Sequence, residues 1–165
     1  MSCPICKERH PHTIDEALAI LARTPGELKR LSRGIAAGRA VARPAPGKWS
    51  LKEIICHLAD CELVYGFRYR KILAEPEPAL VGFDQNAWAE NLRYRDQPLK
   101  GALAALDTLR SRNLELLGAI PKSSWRKTGR HALYGDLSLR QIVAHLVDHD
   151  RSHIAQAGRA RQGTA

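Results

Sequence analysis

Apolar residues in this chain recur mostly at helical spacing, and few strand-length alternations interrupt them. Thr13 to Ala22 reads as a helix with Thr13 as cap and Glu16 completing a capping box. Thr24-Pro25-Gly26-Glu27 can restart it, because Pro fits a first helical turn. Together they predict one long, bent first helix ending near Gly34 to Gly38. Arg43-Pro44-Ala45-Pro46-Gly47 cannot be helical. Ser50 and Glu53 then form a second capping box, opening a helix that runs to about Ala74, where Pro76 and Pro78 stop it. A short helix is expected from Asp84 to Asn91, and a third long one from Pro98 to Leu117. From Pro121 to Asp136 the periodicity lapses into a loop with room for a small hairpin. Ser138 and Gln141 cap the last long helix, which reaches about Arg161. Four amphipathic helices of about 20 residues, each about 30 Å long, bury their apolar stripes most simply as an all-α four-helix bundle. The connections are long enough for a topology other than up-and-down.

Composition narrows this picture. With 165 residues, 44% apolar and 26% charged, the chain suits one domain. We assign residues 13–162 to the bundle and residues 1–12 to an N-terminal tail. No uncharged apolar run approaches the ~18 residues of a membrane span, and no signal-peptide pattern opens the chain. The expected location is the cytoplasm. The net charge of +9 raises the question of nucleic acid. Its basic residues are scattered, however, and only Arg126 to Arg130 cluster. No aromatic residues alternate with them as on a single-strand stacking surface. A solvated basic face is the better reading. Cys56 and Cys61 sit on different faces of a predicted helix and read as reduced, packed thiols.

The chemistry concentrates in the last helix. His145, His149 and His153 follow one another at i, i+4 spacing, and imidazoles so placed can grip one divalent cation. The apolar positions Leu139, Ile142, Val143, Leu146 and Ile154 define a core direction. At 100° per residue His153 lies within about 50° of it, His149 about 90° away and His145 about 130° away. His149 and His153 therefore point into the bundle and His145 toward solvent. Asp150 falls near the apolar centre, either accepting from a ligand imidazole or paired with an Arg. A third ligand must come from another helix, and His57 is the candidate although its phase is marginal. Glu62 lies closer to the core direction and needs a partner: Arg68, the metal site, or an intrahelical cation.

Gly47-Lys48-Trp49-Ser50-Leu51-Lys52-Glu53-Ile54-Ile55-Cys56-His57-Leu58-Ala59-Asp60-Cys61-Glu62 resembles the second-helix signature of the DinB/YfiT-like superfamily of bacterial metalloenzymes. Val81 to Trp88 is similar to a connecting segment of one branch, and His149-Asp150-Arg151-Ser152-His153-Ile154-Ala155-Gln156 to the last-helix signature. The resemblance covers about residues 13 to 160. It implies a four-helix bundle with crossover connections, often a homodimer. It also implies one divalent metal, usually zinc or nickel, on His57, His149 and His153. Members with assigned activity include thiol-dependent transferases and hydrolases. Some branches carry a further His where this chain has Ser152. Gln156 matches a frequent family residue and could line the site.

Three neutral imidazoles leave a divalent ion with open positions, where a water or a thiol is activated. The expectation is thus a metal-dependent hydrolase or thiol transferase acting on a small molecule, with a low-molecular-weight thiol as one candidate. Asp150, Glu62 and Gln156 are the supporting candidates. A non-catalytic metal-binding module is the alternative, and a basic DNA-associated protein ranks last. Separately, Cys3, Cys6, His10 and His12 place two thiols and two imidazoles within ten residues, a candidate for a second, structural zinc. The competing reading is a tail with two reactive thiols. Trp49 and Trp88 are expected in the core or a pocket wall. Trp125 has no clear place, and His131 could meet a substrate from its loop.

Overall fold

Three of the four long helices begin where the sequence supplies a capping box. In a computed structural model, which describes residues 11–164, α1 (Ile14–Ser32), α3 (Leu51–Ala74) and α6 (Leu139–Gln162) all open on capping boxes. These use Thr13/Glu16, Ser50/Glu53 and Ser138/Gln141, the three pairs expected from sequence. α5 (Leu99–Ala119) starts behind Pro98, whose fixed φ suits a helix entry. Gly163, in the left-handed region at φ 83°, ends α6.

Two boundaries differ from expectation. α1 continues unbroken past Pro25, which is buried, and stops at Ser32. Near the expected end at Gly34 to Gly38 the chain forms a separate short helix, α2 (Ala37–Val41), that was not expected from sequence. Gly34, at φ 68°, turns the chain between them. The short α4 (Gln85–Asn91) is present, the N–H groups of Asn86 and Ala87 donating to Asp84 Oδ1 at 2.9 and 3.0 Å. The loop before α6 holds a 3-10 turn (Lys122–Arg126) and the hairpin of β2 (Thr128–His131) and β3 (Gly135–Ser138). A two-residue strand, β1 (Ala79–Leu80), joins β2 in parallel, making a three-stranded sheet of order β1-β2-β3.

The four long helices form a bundle in which α3 neighbours α5, α5 neighbours α1, α1 neighbours α6, and α6 neighbours α3. Consecutive long helices α1 and α3 are therefore diagonal, as are α5 and α6. α1 and α6 run parallel, since Arg161 near the end of α6 donates to the carbonyls of Leu31 and Arg33 at the end of α1. This is a crossover bundle. Apolar side chains fill its two halves: Leu21, Tyr69, Leu117 and Leu146 belong to one cluster, and Leu28, Ile54, Leu58 and Leu106 to the other. A polar layer crosses the middle, built on Thr24, Glu62, Arg110 and Asp150, and the histidines lie beside it. Among the described residues no helix is long and apolar enough to cross a membrane.

Candidate metal centre

α3 supplies His57 from its second turn, fully buried, and Cys61 one turn later. α6 supplies His149 and His153 from its middle turns. Crossing of the two helices brings the rings together: centroids are 5.2 Å apart for His57 and His149, 4.8 Å for His57 and His153, and 4.4 Å for His149 and His153. The Nε2 atoms of His57 and His149 face each other at 3.1 Å, and Cys61 Sγ lies 3.5 Å from His57 Nε2 and 4.0 Å from His149 Nε2. His57, Cys61 and His149 thus offer three donor atoms within 4.8 Å of one another. Sequence reasoning missed Cys61, which lies one turn from His57 at i, i+4. That spacing was the available signal. Cys56, by contrast, turns away to contact the Tyr94 carbonyl, and neither thiol is in a disulfide.

The supporting residues take definite roles. Gln156 Oε1 accepts from His153 Nδ1 at 2.8 Å, which fixes the tautomer and leaves Nε2 with its lone pair free to bind a cation. Trp49 stacks on His153 at 6.0 Å and tilts against His57 at 4.8 Å, so it is a wall of the site. Burial, reinforced by His149 and His153, pushes the His57 pKa down to about 2, and burial likewise takes His153 down to about 4. Both rings are neutral near pH 7, the form that binds metal. Burial pushes the Cys61 thiol well up, so it keeps its proton until a cation displaces it.

Asp150 belongs to the Arg pair foreseen as its alternative. Arg110 of α5 reaches its Oδ2 at 2.8 Å, and the Thr24 hydroxyl donates to the same oxygen at 2.7 Å. Its Oδ1 stands 3.8 Å from His149 Nδ1, too long for a hydrogen bond. Burial pushes the Asp150 carboxyl up, but Arg110 and the hydrogen bonds outweigh it and hold the group below the usual range. Glu62 pairs with Arg110 too, at 2.8 Å, and neither with Arg68 nor with the metal site. Asn113 also donates to Glu62 Oε2 at 3.0 Å.

These contacts allow a test of fit for a cation. Two buried carboxylates share one guanidinium, so the layer carries one negative charge in excess directly behind His149. Two imidazole nitrogens at 3.1 Å match the edge, about 3.3 Å, of a tetrahedron with bonds near 2.0–2.1 Å. Donor set, spacing and charge all suit a divalent ion.

The centre opens on a cavity of about 720 Å³ whose walls include His57, Cys61, His149, Phe83, Tyr134 and His131. His145 is half-buried in that wall, 6.3 Å from the His149 ring, and not turned to solvent as its helix phase suggested. The sheet and the β1–α4 connection cover that side of α6. His131, expected in an open loop, is buried on β2. Trp88 packs on Phe83 at 4.6 Å, and Trp125 is buried in the 3-10 turn. Cys3, Cys6 and His10 lie outside the described residues. His12 contacts Arg151 at 2.9 Å.

The fold and this cluster define a class of helical-bundle proteins with a histidine-based site. The chain belongs to the DinB superfamily, whose family model matches residues 20–157. It is similar to a Bacillus subtilis protein named "Putative metal-dependent hydrolase YfiT", with 25% identity over 142 residues, 86% of this chain and 80% of that one. An Oceanobacillus iheyensis protein named "Putative metal-dependent hydrolase" is 26% identical over 109 residues, 66% of this chain and 63% of that one. A Geobacillus kaustophilus protein of the same designation is 23% identical over 150 residues, covering 90% and 84%. The solved structure of Bacillus subtilis YfiT, described as having "an unusual four-helix bundle topology", superposes with a TM-score of 0.87 over 99% of this chain and 98% of that one, at 24% identity. The two share a fold.

Proposed function

We propose that His57, His149 and His153 hold one divalent metal ion and that the protein is a metal-dependent hydrolase or thiol transferase acting on a small molecule. The observation that carries this reading is the pair of Nε2 atoms 3.1 Å apart at the wall of a cavity of about 720 Å³. A purely structural site has its coordination closed by protein atoms, whereas this one faces space for a substrate. His153 is preferred to Cys61 as third ligand because Gln156 already holds its ring in the metal-binding tautomer. The bound ion would supply Lewis acidity to a water or a thiol. The chain's own part is to keep the His57 and His153 rings neutral, to back His149 with the excess charge of Glu62 and Asp150, to brace His57 and His153 with Trp49, and to line the cavity with Phe83. Zinc and nickel both accept this donor set. The relatives' designation as metal-dependent hydrolases supports the hydrolytic branch.

Metal analysis of protein purified without a metal-affinity step tests the assignment. Near one equivalent is expected in the wild type and in Cys61→Ser, and background levels in His57→Ala, His149→Ala and His153→Ala. Full occupancy in the His149 and His57 variants would overturn it. If Cys61→Ser loses metal and His153→Ala keeps it, the third ligand is the thiolate, and cobalt-loaded protein should then show a sulfur-to-metal charge-transfer band. Turnover of an ester panel, with and without added thiols and abolished by chelation, separates hydrolysis from thiol transfer.

A further inference from the structure

Arg68 is 8% exposed, yet it differs from the other buried ions in one respect. Glu53 pairs with Arg43, and Glu62 and Asp150 share Arg110. Arg68 pairs with no carboxylate among the described residues. Its Nε and Nη2 donate to the Val81 carbonyl at 3.2 and 2.7 Å, and the guanidinium lies 5.1 Å from the Tyr65 ring centroid. No described residue accepts from Nη1 or from the outer edge of Nη2. Arg68 lines the cavity that also holds His57 and His149. A buried cation without a counter-charge is costly, and the cost is removed when an anion arrives.

A second donor faces the same space. His131 is 6% exposed, and its Nδ1 accepts from the Leu133 N–H at 3.2 Å, which puts the ring proton on Nε2. A Cβ on Gly82 would sit 3.6 Å from that Nε2, so the bare backbone at Gly82 leaves the N–H approachable. Desolvation and Arg68 both lower the His131 pKa, keeping the ring a neutral donor beside the cation.

We propose that Arg68 and His131 form an anchor for the carboxylate of a small-molecule ligand, held in the same cavity as the histidine cluster. Among the described residues, Arg68 is the one Lys or Arg on the cavity lining. The exposed Asp84 on the same lining has its Oδ1 engaged by the Asn86 and Ala87 N–H groups. The site therefore suits a monoanion better than a dianionic phosphate, and the free guanidinium edge matches a planar carboxylate. Phe83, Leu133 and Tyr134 give the ligand's body an apolar wall. The class of substrate is thus a carboxylate-bearing compound whose reactive group lies toward His57 and His149. That last step rests on the metal-site reading above; the anion site itself does not.

The test uses metal-free, desalted protein, so that no cation can bind the anion. Acetate and inorganic phosphate are titrated at constant ionic strength, followed by NMR of the Arg68 Nε–H and the His131 ring. Saturable shifts with acetate, weaker ones with phosphate, and affinity for acetate about tenfold or more lower in Arg68→Met are expected. Gly82→Asp should abolish acetate binding by placing a carboxylate in the site, and it stays informative if Arg68→Met fails to fold. No saturable acetate response, an unchanged response in Arg68→Met or Gly82→Asp, or tighter binding of phosphate would overturn the carboxylate anchor. Because these readouts need no metal, they stand apart from the stoichiometry test of the histidine site.

Discussion

A single methyl group probes the packing behind the histidines. A Cβ on Gly66 would lie 2.5 Å from Asn113 Oδ1 and 2.8 Å from Nδ2, and Asn113 is tied to Glu62 and Arg70. Helix propensity alone would reward Gly66→Ala by about 1 kcal/mol. The clash reverses that sign, and a net destabilisation of about 1–3 kcal/mol is expected in denaturant unfolding. Glu53 governs a different property. Burial pushes its carboxyl up, but hydrogen bonds from Arg43 and from the Ser50 N–H and hydroxyl prevail and lower it below its ordinary 4.5. A carboxyl lowered in the folded state adds stability above its unfolded pKa, and that stability is lost as pH falls through the folded value. Melting temperature should therefore drop as pH falls below about 4.5, and Glu53→Gln should flatten that limb while lowering stability at pH 7. Sequence spacing sufficed to pick out His149 and His153, since both lie on one helix. His57 followed only from the need for a donor on another helix, since its own phase was marginal, and the family resemblance then pointed to the same residue. Cys61 as a donor and Arg110 as the shared counter-ion were not legible, because each becomes significant only through a contact between helices.

Helix starts were the most legible elements, since a capping box is a local device written in four residues. Ser50→Ala removes the cap that accepts from Glu53 N at 3.3 Å and donates to Glu53 Oε2 at 2.8 Å. It should cost about 1 kcal/mol in thermal or denaturant unfolding, with more lost if Glu53 is left unsupported. The order of helices around the bundle was less accessible. Hydrophobic stripes say that four helices pack, yet not which are diagonal; long connections only permit the crossovers. The β1 strand is invisible to periodicity because two residues cannot show a period. It is set by backbone pairing to β2, where Gly129 leaves room for Leu80. A Cβ there would meet Leu80 Cδ2 at 2.7 Å, so Gly129→Ala should disturb the sheet covering the cavity mouth. Because His131 sits two residues on, its ring NMR signals should shift in that variant.

At the scale of the molecule, α3 and α6 are joined by long-range contacts but by no covalent link, and the proposed metal would bridge them. A ligand bound only by the native state stabilises by RT ln(1 + [L]/Kd), about 2.7 kcal/mol at a free concentration of 100 Kd. Zinc or nickel added to stripped protein should thus raise the melting temperature by roughly 5–10 °C for a chain of this size. The same addition should leave His149→Ala unmoved, whose unfolded state still offers the other histidines. Arg110 separates this bridge from the electrostatics behind it. Arg110→Met would leave two buried carboxylates without their shared cation, a loss of about 3–5 kcal/mol. Adding Glu62→Gln removes one of those charges, and the double variant should recover part of that loss. If the excess negative charge favours cation binding, the folded double variant binds metal about as well as the wild type, because it too retains one net negative charge. A triple variant with Asp150→Asn, uncharged in this layer, should bind it more weakly. Equal affinity in all three would show that the imidazoles alone set metal affinity and that the layer serves packing.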